Sequence, residues 1–263
     1  MNNKLVMVSG IQRSGTSVLY YTLLNGKTCC GYEEAIDSEL FKDWNLKPES
    51  QIRECLQNSE KPVLIKMPNA TADHRINQIL EEFHAYTVYL VWIYRDPVNV
   101  CYSTLEHYRH RTDAKQAFYD SIARYPDPLA AIDGFIEQWR ERNRQVIDAL
   151  SLSAQNIFVV KYEDLVEDPG VVAALCRHLG IAFRYNFRPD SNAGYTYLPE
   201  DVCRKIARMT ADVWCQLDEC RHFTPDRNPM RRYLKRLRYE APGHRIRLIR
   251  RMKRGLKRFA QSA

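Results

Sequence analysis

Short apolar runs recur along the chain, and between them apolar residues return at helical spacing. Four of these runs predict buried β-strands, at residues 5–8, 63–65, 86–93 and 157–160. Strands of this kind that alternate with helices are typical of an α/β domain in which a mostly parallel sheet is covered on both faces. We therefore expect a three-layer α/β fold with helices on both faces of a central sheet.

Three helices are marked by their boundaries or by their faces. Residues 16–24 are expected to form the first, because Asn25-Gly26 supplies a C-terminal stop. Asp96 and Pro97 place an N-cap and a first-turn proline at the start of the second, which should run to about residue 107. The third covers residues 133–150, and one of its faces carries Trp139, Asn143, Val146, Ile147 and Leu150.

The composition supports one globular domain. Hydrophobic residues make up 45% and charged residues 27% of the 263 residues, which is enough apolar material for a buried core. The eight cysteines show no CxxC spacing, so we expect reduced thiols rather than disulfides or a zinc site. The apolar stretch near the N-terminus is too short for a signal peptide, and we expect a cytoplasmic protein.

Basic residues are concentrated near the C-terminus. The formal net charge is +7, yet residues 231–258 contain 13 Lys/Arg against a single acid, Glu240. We expect a domain over residues 1–230 and a basic, helical tail over residues 231–263, in which residues 244–259 place apolar side chains along one stripe. The tail could pack on the acidic body, remain solvated, recruit an acidic acceptor or lie peripherally on an anionic membrane surface. Specific nucleic-acid binding is not expected.

The sequence GIQRSGTS, residues 10–17, connects the first strand to the first helix. Its spacing is that of a phosphate-binding GxxxxGK[S/T] loop, but Thr16 occupies the lysine position. Backbone N–H groups and the positive end of a helix dipole would still make this loop an anion site. Arg13 lies inside the loop, which favours an anion with less charge than a triphosphate with magnesium, such as a sulfuryl group esterified to phosphate. The alternative is a turn that serves packing alone.

A second cation follows a strand end. Arg95 leaves the carboxyl end of the 86–93 strand, where ligands of open parallel sheets bind, and Ser103 lies about two turns along the next helix. The two side chains could therefore hold one phosphate group. The alternative is that Arg95 forms an ion pair with Asp96 at the helix start and that Ser103 is a surface serine.

In their order along the chain, these segments resemble the sulfotransferases that use 3′-phosphoadenosine 5′-phosphosulfate (PAPS). The resemblance rests on QRSGTS, in which Gln12 replaces the usual proline, on IYRDPVNVCYS, and on VVKYEDLVEDP behind the tryptophan-bearing QWRERNR helix. It spans roughly residues 4–180 and is closer to the carbohydrate and tyrosylprotein types than to the cytosolic phenol and steroid type. It implies a P-loop-like fold in which Arg95 and Ser103 bind the 3′-phosphate and the loop binds the 5′-phosphosulfate. The implied loop ligands are Arg13, Ser14, Gly15, Thr16 and Ser17.

The resemblance also implies the catalytic groups. Of the adjacent carboxylates in CCGYEEAIDSELF, the second, Glu34, matches the family's base, with Glu33 and His74 as alternatives. Lys66 matches a strand-end lysine that acts with Arg13 on the leaving phosphate. Without the resemblance, the two glutamates would be a solvated acidic stretch and Lys66 an exposed strand end. Further candidates around the nucleotide are Tyr162, which could instead support the sheet, and Ser191, Arg109 and Arg111.

The implied reaction moves a sulfuryl group from PAPS to a hydroxyl or amine acceptor, leaves 3′-phosphoadenosine 5′-phosphate (PAP) and needs no metal. The acceptor could be a small molecule, a carbohydrate or a tyrosyl peptide. The loops expected at residues 32–62, 109–128 and 183–199 suit all three, because they mix aromatic and charged residues.

Two other functional classes remain open. In a P-loop kinase, residues 86–96 would form the Walker B strand and magnesium would be essential, but Thr16 argues against a triphosphate site. A non-catalytic module would keep the nucleotide pocket and attach to membranes or nucleic acid through the basic tail. The presence of Arg13, Arg95 and Ser103 argues against that second class.

Overall fold

The computed structural model describes residues 4–68, 76–109, 128–152, 156–187 and 198–239. Within these ranges, five strands form a central sheet and two very short strands form a hairpin. In chain order the strands are β1 (Lys4–Gly10), β2 (Cys30–Glu33), β3 (Phe41–Lys42), β4 (Asn45–Leu46), β5 (Val63–Lys66), β6 (Thr87–Tyr94) and β7 (Ile157–Lys161).

The central sheet has the order β2-β5-β1-β6-β7, and every neighbouring pair is parallel. β1 therefore lies in the middle, and the chain places β5 on one side of it and β6 on the other. Such a point, where the strand order changes direction, opens a crevice at the carboxyl ends of the strands in α/β sheets. The GIQRSGTS loop leaves β1 at this point.

Helices fill both outer layers. In the described ranges they are α1 (Thr16–Leu24), α2 (Glu49–Gln57), α3 (Ile76–Glu82), α4 (Pro97–Arg109), α5 (Pro128–Leu152), α6 (Tyr162–Glu167), α7 (Pro169–Leu179), α8 (Glu200–Cys220) and α9 (Pro229–Tyr239). None of the helices in this part of the chain is both long and apolar enough to cross a membrane.

The alternation of side chains along β1 shows how the layers are built. Val6 and Val8 pack with the apolar faces of α1, α6 and α7, whereas Leu5 and Met7 pack on the other side with α2, α3, α5 and α8. Both sets are buried, because successive residues of a strand point to opposite faces of the sheet. The predicted three-layer, P-loop-like α/β fold is thereby confirmed.

The strands and helices that the sequence marked are present, and their observed ends lie within five residues of the predicted ones. The buried face of α5 contains Trp139, Asn143 and Val146, as predicted. Asn143 accepts a hydrogen bond from the indole N–H of Trp92 at 3.0 Å and donates to the carbonyl of Trp139 at 2.9 Å. A polar residue in this face is therefore satisfied and joins the helix to β6.

Two regions differ from the prediction. Residues 32–62 are not one loop, because they contain the end of β2, the β3–β4 hairpin and α2. Residues 200–220, for which the sequence analysis predicted no element, form α8, a helix of 21 residues with buried Val202, Ile206, Val213 and Leu217. Their spacing of four and seven residues is the helical signal that identifies it.

Candidate active site

Three residues with positive φ shape the loop between β1 and α1. They are Gly10 (φ 147°), Arg13 (φ 70°) and Gly15 (φ 105°). A Cβ at Gly10 would lie 2.2 Å from the carbonyl oxygen of Ile93, and one at Gly15 would lie 2.4 Å from Cδ2 of Tyr162. Only glycine allows both the conformation and the close approach, so these positions hold the loop against β6 and Tyr162.

The loop leads into a helix start whose groups suit an anion. Ser14 closes the turn, because its N–H and its Oγ both donate to the carbonyl of Ile11, at 3.1 and 2.6 Å. Gly15 is the N-cap of α1 and brings no side-chain acceptor, and the first turn of α1 contains no acidic residue. The N–H groups around Thr16 and Ser17 and the positive end of the helix dipole therefore favour an anion here.

The two cationic motifs meet although 82 residues separate their arginines. Arg13 Nε donates to Ser103 Oγ at 3.2 Å, and Arg95 Nη1 donates to the carbonyl of Arg13 at 3.2 Å. The Arg95 guanidinium lies over the ring of Tyr162, 4.6 Å from its centroid. Arg95 and Ser103 are each only 5% exposed. The buried guanidinium group of Arg95 and the exposed one of Arg13 lie in one crevice, which favours an anionic ligand.

Lys66 is held beside the start of α1. Its Nζ lies 2.7 Å from Glu33 Oε2 and 3.3 Å from Ser17 Oγ. Tyr21 donates its hydroxyl hydrogen to the other oxygen of Glu33. Burial alone would raise the pKa of Glu33, but the hydrogen bonds from Lys66 and Tyr21 outweigh it and hold the pKa below its usual range. Glu33 is therefore an ionised partner of Lys66.

Glu34 follows β2 directly at the same edge of the sheet. Its N–H donates to the carbonyl of Lys66 at 3.0 Å, and the residue is 8% exposed. The structure thus brings both glutamates to the strand end that carries Lys66, with Glu33 in the ion pair and Glu34 buried next to it.

Glu163 is a component of this region that the sequence did not single out, although it lies inside the quoted KYEDL segment. Its Oε1 accepts a hydrogen bond from the N–H of Asp96 at 3.1 Å. Asp96 in turn accepts from the N–H of Asn99 at 2.9 Å, which caps α4. Burial raises the pKa of Glu163, and its second oxygen is buried without a hydrogen-bond partner among the described residues. Glu163 therefore fixes the turn that joins Arg95 to α4.

Some candidates from the sequence cannot be located in this site. His74, Ser191 and Arg111 lie outside the described residues. The backbone of Arg109 forms the last position of α4. Tyr162 is placed, and it is 4% exposed between Gly15 and Arg95.

Comparisons with solved structures agree with the fold. The sulfotransferase of Alicyclobacillus acidocaldarius has a similar structure, with a TM-score of 0.57 and 17% identity over 83% of this chain and 95% of that chain. Sulfotransferase STF1 of Mycobacterium tuberculosis H37Rv has a TM-score of 0.53 and 13% identity over 81% of this chain and 77% of that chain. Mouse sulfotransferase SULT7A1, crystallised with PAP, has a TM-score of 0.50 and 14% identity over 83% of this chain and 89% of that chain. At these identities the likeness establishes the fold.

A comparison at the level of sequence families is more specific. No curated protein gives a significant match to the chain. A family model described as the sulfotransferase domain, however, matches residues 3–211, which is well over half of the chain and includes the loop, Lys66, Arg95 and Ser103. The chain therefore belongs to the sulfotransferase family.

Proposed function

We propose that this protein transfers a sulfuryl group from PAPS to a hydroxyl or amine acceptor. The observation that carries the proposal is the convergence of Arg13, Arg95 and Ser103 at the start of α1. This cluster offers two cationic groups and a helix N-terminus to one ligand, as a donor with phosphate groups at two ends of a nucleoside requires. PAP in the mouse relative supports the same class of nucleotide.

The residues of the crevice fit the two ends of this donor. The loop residues Arg13 to Ser17 would bind the 5′-phosphosulfate, since their N–H groups and the helix dipole lie at the carboxyl end of β1. Arg95 and Ser103 would bind the 3′-phosphate, and Tyr162 supports the Arg95 guanidinium from one side. When bound, the donor supplies the activated sulfuryl group, and the chain supplies position and charge.

We assign the role of general base, which takes the proton of the acceptor, to Glu34. A general base must accept a proton, and the carboxylate of Glu33 is a poor choice because Lys66 and Tyr21 lower its pKa and occupy both of its oxygens. Glu34 lies next to it, at the same strand end and shielded from solvent. His74 remains the alternative base.

Lys66 and Arg13 provide the fixed positive charge that the reaction needs. Negative charge develops on the bridging oxygen of the leaving phosphate, and preorganised cations lower the energy of that state. Lys66 reaches Ser17 Oγ at 3.3 Å and is therefore beside the first turn of α1, where the 5′ end of the donor would lie. Glu33 keeps this lysine in place.

The donor proposal is tested by titrating PAP into the protein in a calorimeter. We expect the wild type to bind one equivalent of PAP. In Arg95→Ala the affinity for PAP should fall about 10- to 100-fold, because the charge-assisted hydrogen bond from the buried guanidinium to the 3′-phosphate is lost. Transfer of radiolabelled sulfate from PAPS to a panel of phenols, tyrosyl peptides and polysaccharides, with EDTA present, then tests catalysis. Absence of PAP binding to the wild type would overturn the proposal, and phosphate transfer from ATP that stops with EDTA would favour the kinase.

Glu163 gives a separate prediction about positioning. Glu163→Ala removes the acceptor for the Asp96 N–H, so we expect the KM for PAPS to rise about 5- to 10-fold with little change in kcat. Glu163→Gln keeps a carbonyl oxygen at the same place and should restore the wild-type KM. Glu54→Ala, at an exposed position of α2, is the matched control. A KM that stays unchanged in Glu163→Ala, or one that Gln fails to restore, would contradict this role.

A further inference from the structure

The C-terminal helix α9 is attached to the body through its basic residues. Lys235 Nζ lies 3.1 Å from Oδ2 of Asp168, a carboxylate that is 1% exposed, and 3.4 Å from Asp226. Arg232 pairs with Glu167 at 2.9 Å, and Arg236 donates to the carbonyls of Glu167 and Val166 at the end of α6. One side of the helix is therefore neutralised by body carboxylates and by the negative end of a helix dipole.

These contacts fix which side of α9 faces outward. Met230 and Leu234, one helical turn apart, are 60% and 55% exposed. Arg231 and Arg238 are exposed near them, as is Arg227 just before the helix. We call these five residues the α9 face. No residue of α9 is buried, and its sequence PMRRYLKRLRY contains no acidic residue.

We propose that the α9 face binds an anionic membrane surface. Arginines beside exposed apolar side chains on one helix face match such a surface, because the cations attract lipid headgroups while the apolar groups enter the boundary of the acyl chains. A nucleic acid would use the arginines and leave Met230 and Leu234 in water. The sequence beyond the helix adds eight more Lys/Arg in residues 241–258 without an acid. These add to the attraction at long range.

The helix α6 connects α9 to the proposed active site. The C-terminal end of α6 accepts the hydrogen bonds of Arg236, and the first residue of α6 is Tyr162. A helix of six residues is about 9 Å long, so α9 is one short helix away from Tyr162, and the α9 face is on the outer side of α9. An enzyme bound in this way would work beside the lipid surface.

The test is co-sedimentation of the full chain with phosphatidylcholine vesicles that do or do not contain phosphatidylserine. We expect binding only with phosphatidylserine, weakening as salt is added. Met230→Ser/Leu234→Ser should lower the vesicle affinity about tenfold, since two apolar side chains no longer enter the membrane. The matched control is Met209→Ser/Leu152→Ser, which changes the same residue types at exposed positions of α8 and α5 and should bind like the wild type.

Thermal melting and PAP titration show whether each double variant is folded. Three results would overturn the proposal: no binding of the wild type to phosphatidylserine vesicles, an unchanged vesicle affinity in Met230→Ser/Leu234→Ser, or tighter binding to a short DNA duplex than to vesicles. None of these results bears on sulfuryl transfer, so the membrane proposal and the proposed activity fail independently.

Discussion

Glutamine in place of Glu34 is expected to lower kcat by about 100- to 10,000-fold, which is the usual contribution of a positioned general base. The amide keeps the size of the side chain and loses the ability to take the acceptor's proton. Because Glu34 is assigned no role in donor binding, the affinity for PAP should remain close to that of the wild type. Single-turnover sulfate transfer and calorimetric PAP titration on the same preparation measure the two quantities.

Glu33→Gln is the matched comparison for this prediction. It removes the ionised partner of Lys66 and should lower kcat by on the order of tenfold, because Lys66 loses orientation but keeps its charge. A larger loss in Glu33→Gln than in Glu34→Gln would reverse the assignment. If neither variant loses activity and His74→Asn does, the base is His74.

The second large effect concerns Lys66. Lys66→Met is expected to lower kcat by about 100- to 1,000-fold, since it removes a fixed cation from the place where charge develops on the leaving phosphate. It also leaves the carboxylate of Glu33 without its ammonium partner, next to Ser17 and the start of α1. The remaining negative charge would oppose an anionic donor, so the KM for PAPS should rise as well.

A double variant separates these two effects. In Lys66→Met/Glu33→Gln the uncompensated carboxylate is gone, and on the order of tenfold in kcat/KM should return relative to Lys66→Met alone. Lys61→Met, which changes an exposed lysine just before the other end of β5, serves as the control and should behave like the wild type. Equal activity in Lys66→Met and in the double variant would show that the uncompensated carboxylate of Glu33 does not oppose the donor, and full activity in Lys66→Met would exclude the lysine from catalysis.

The central sheet could be predicted from the sequence because four of its five strands carry apolar residues that are buried under the helices. β1, β5, β6 and β7 are continuous apolar runs, which is the pattern that a covered parallel sheet imposes. The edge strand β2 reads CGYE and has no buried residue, so it gives no such signal. It forms because its backbone pairs with β5 in parallel register, and that pairing is a property of the tertiary structure.

The candidate site was predictable to the extent that its residues lie in contiguous motifs. The loop, Arg95 and Ser103 follow strand ends, and the carboxyl ends of parallel strands meet at one edge. The contacts between motifs could not be predicted, because they depend on side-chain direction. The pairing of Glu33 with Lys66 follows from their positions opposite each other in neighbouring strands. The bond from Asp96 to Glu163 joins residues 67 positions apart in sequence and needs the packing of α6 beside β6.

The carboxylate of Asp168 has a practical consequence for shortened versions of the chain. It accepts hydrogen bonds from the N–H groups of Gly170 and Asp226 as well as from Lys235. The sequence alone suggests that the basic tail can be removed at residue 230. That truncation deletes Lys235 and leaves the buried carboxylate of Asp168 without its ammonium partner. A loss of activity in the truncated chain would then reflect damage where α6 meets α7, not a function of the tail. Substitutions on the outer side of α9 test that function without removing Lys235.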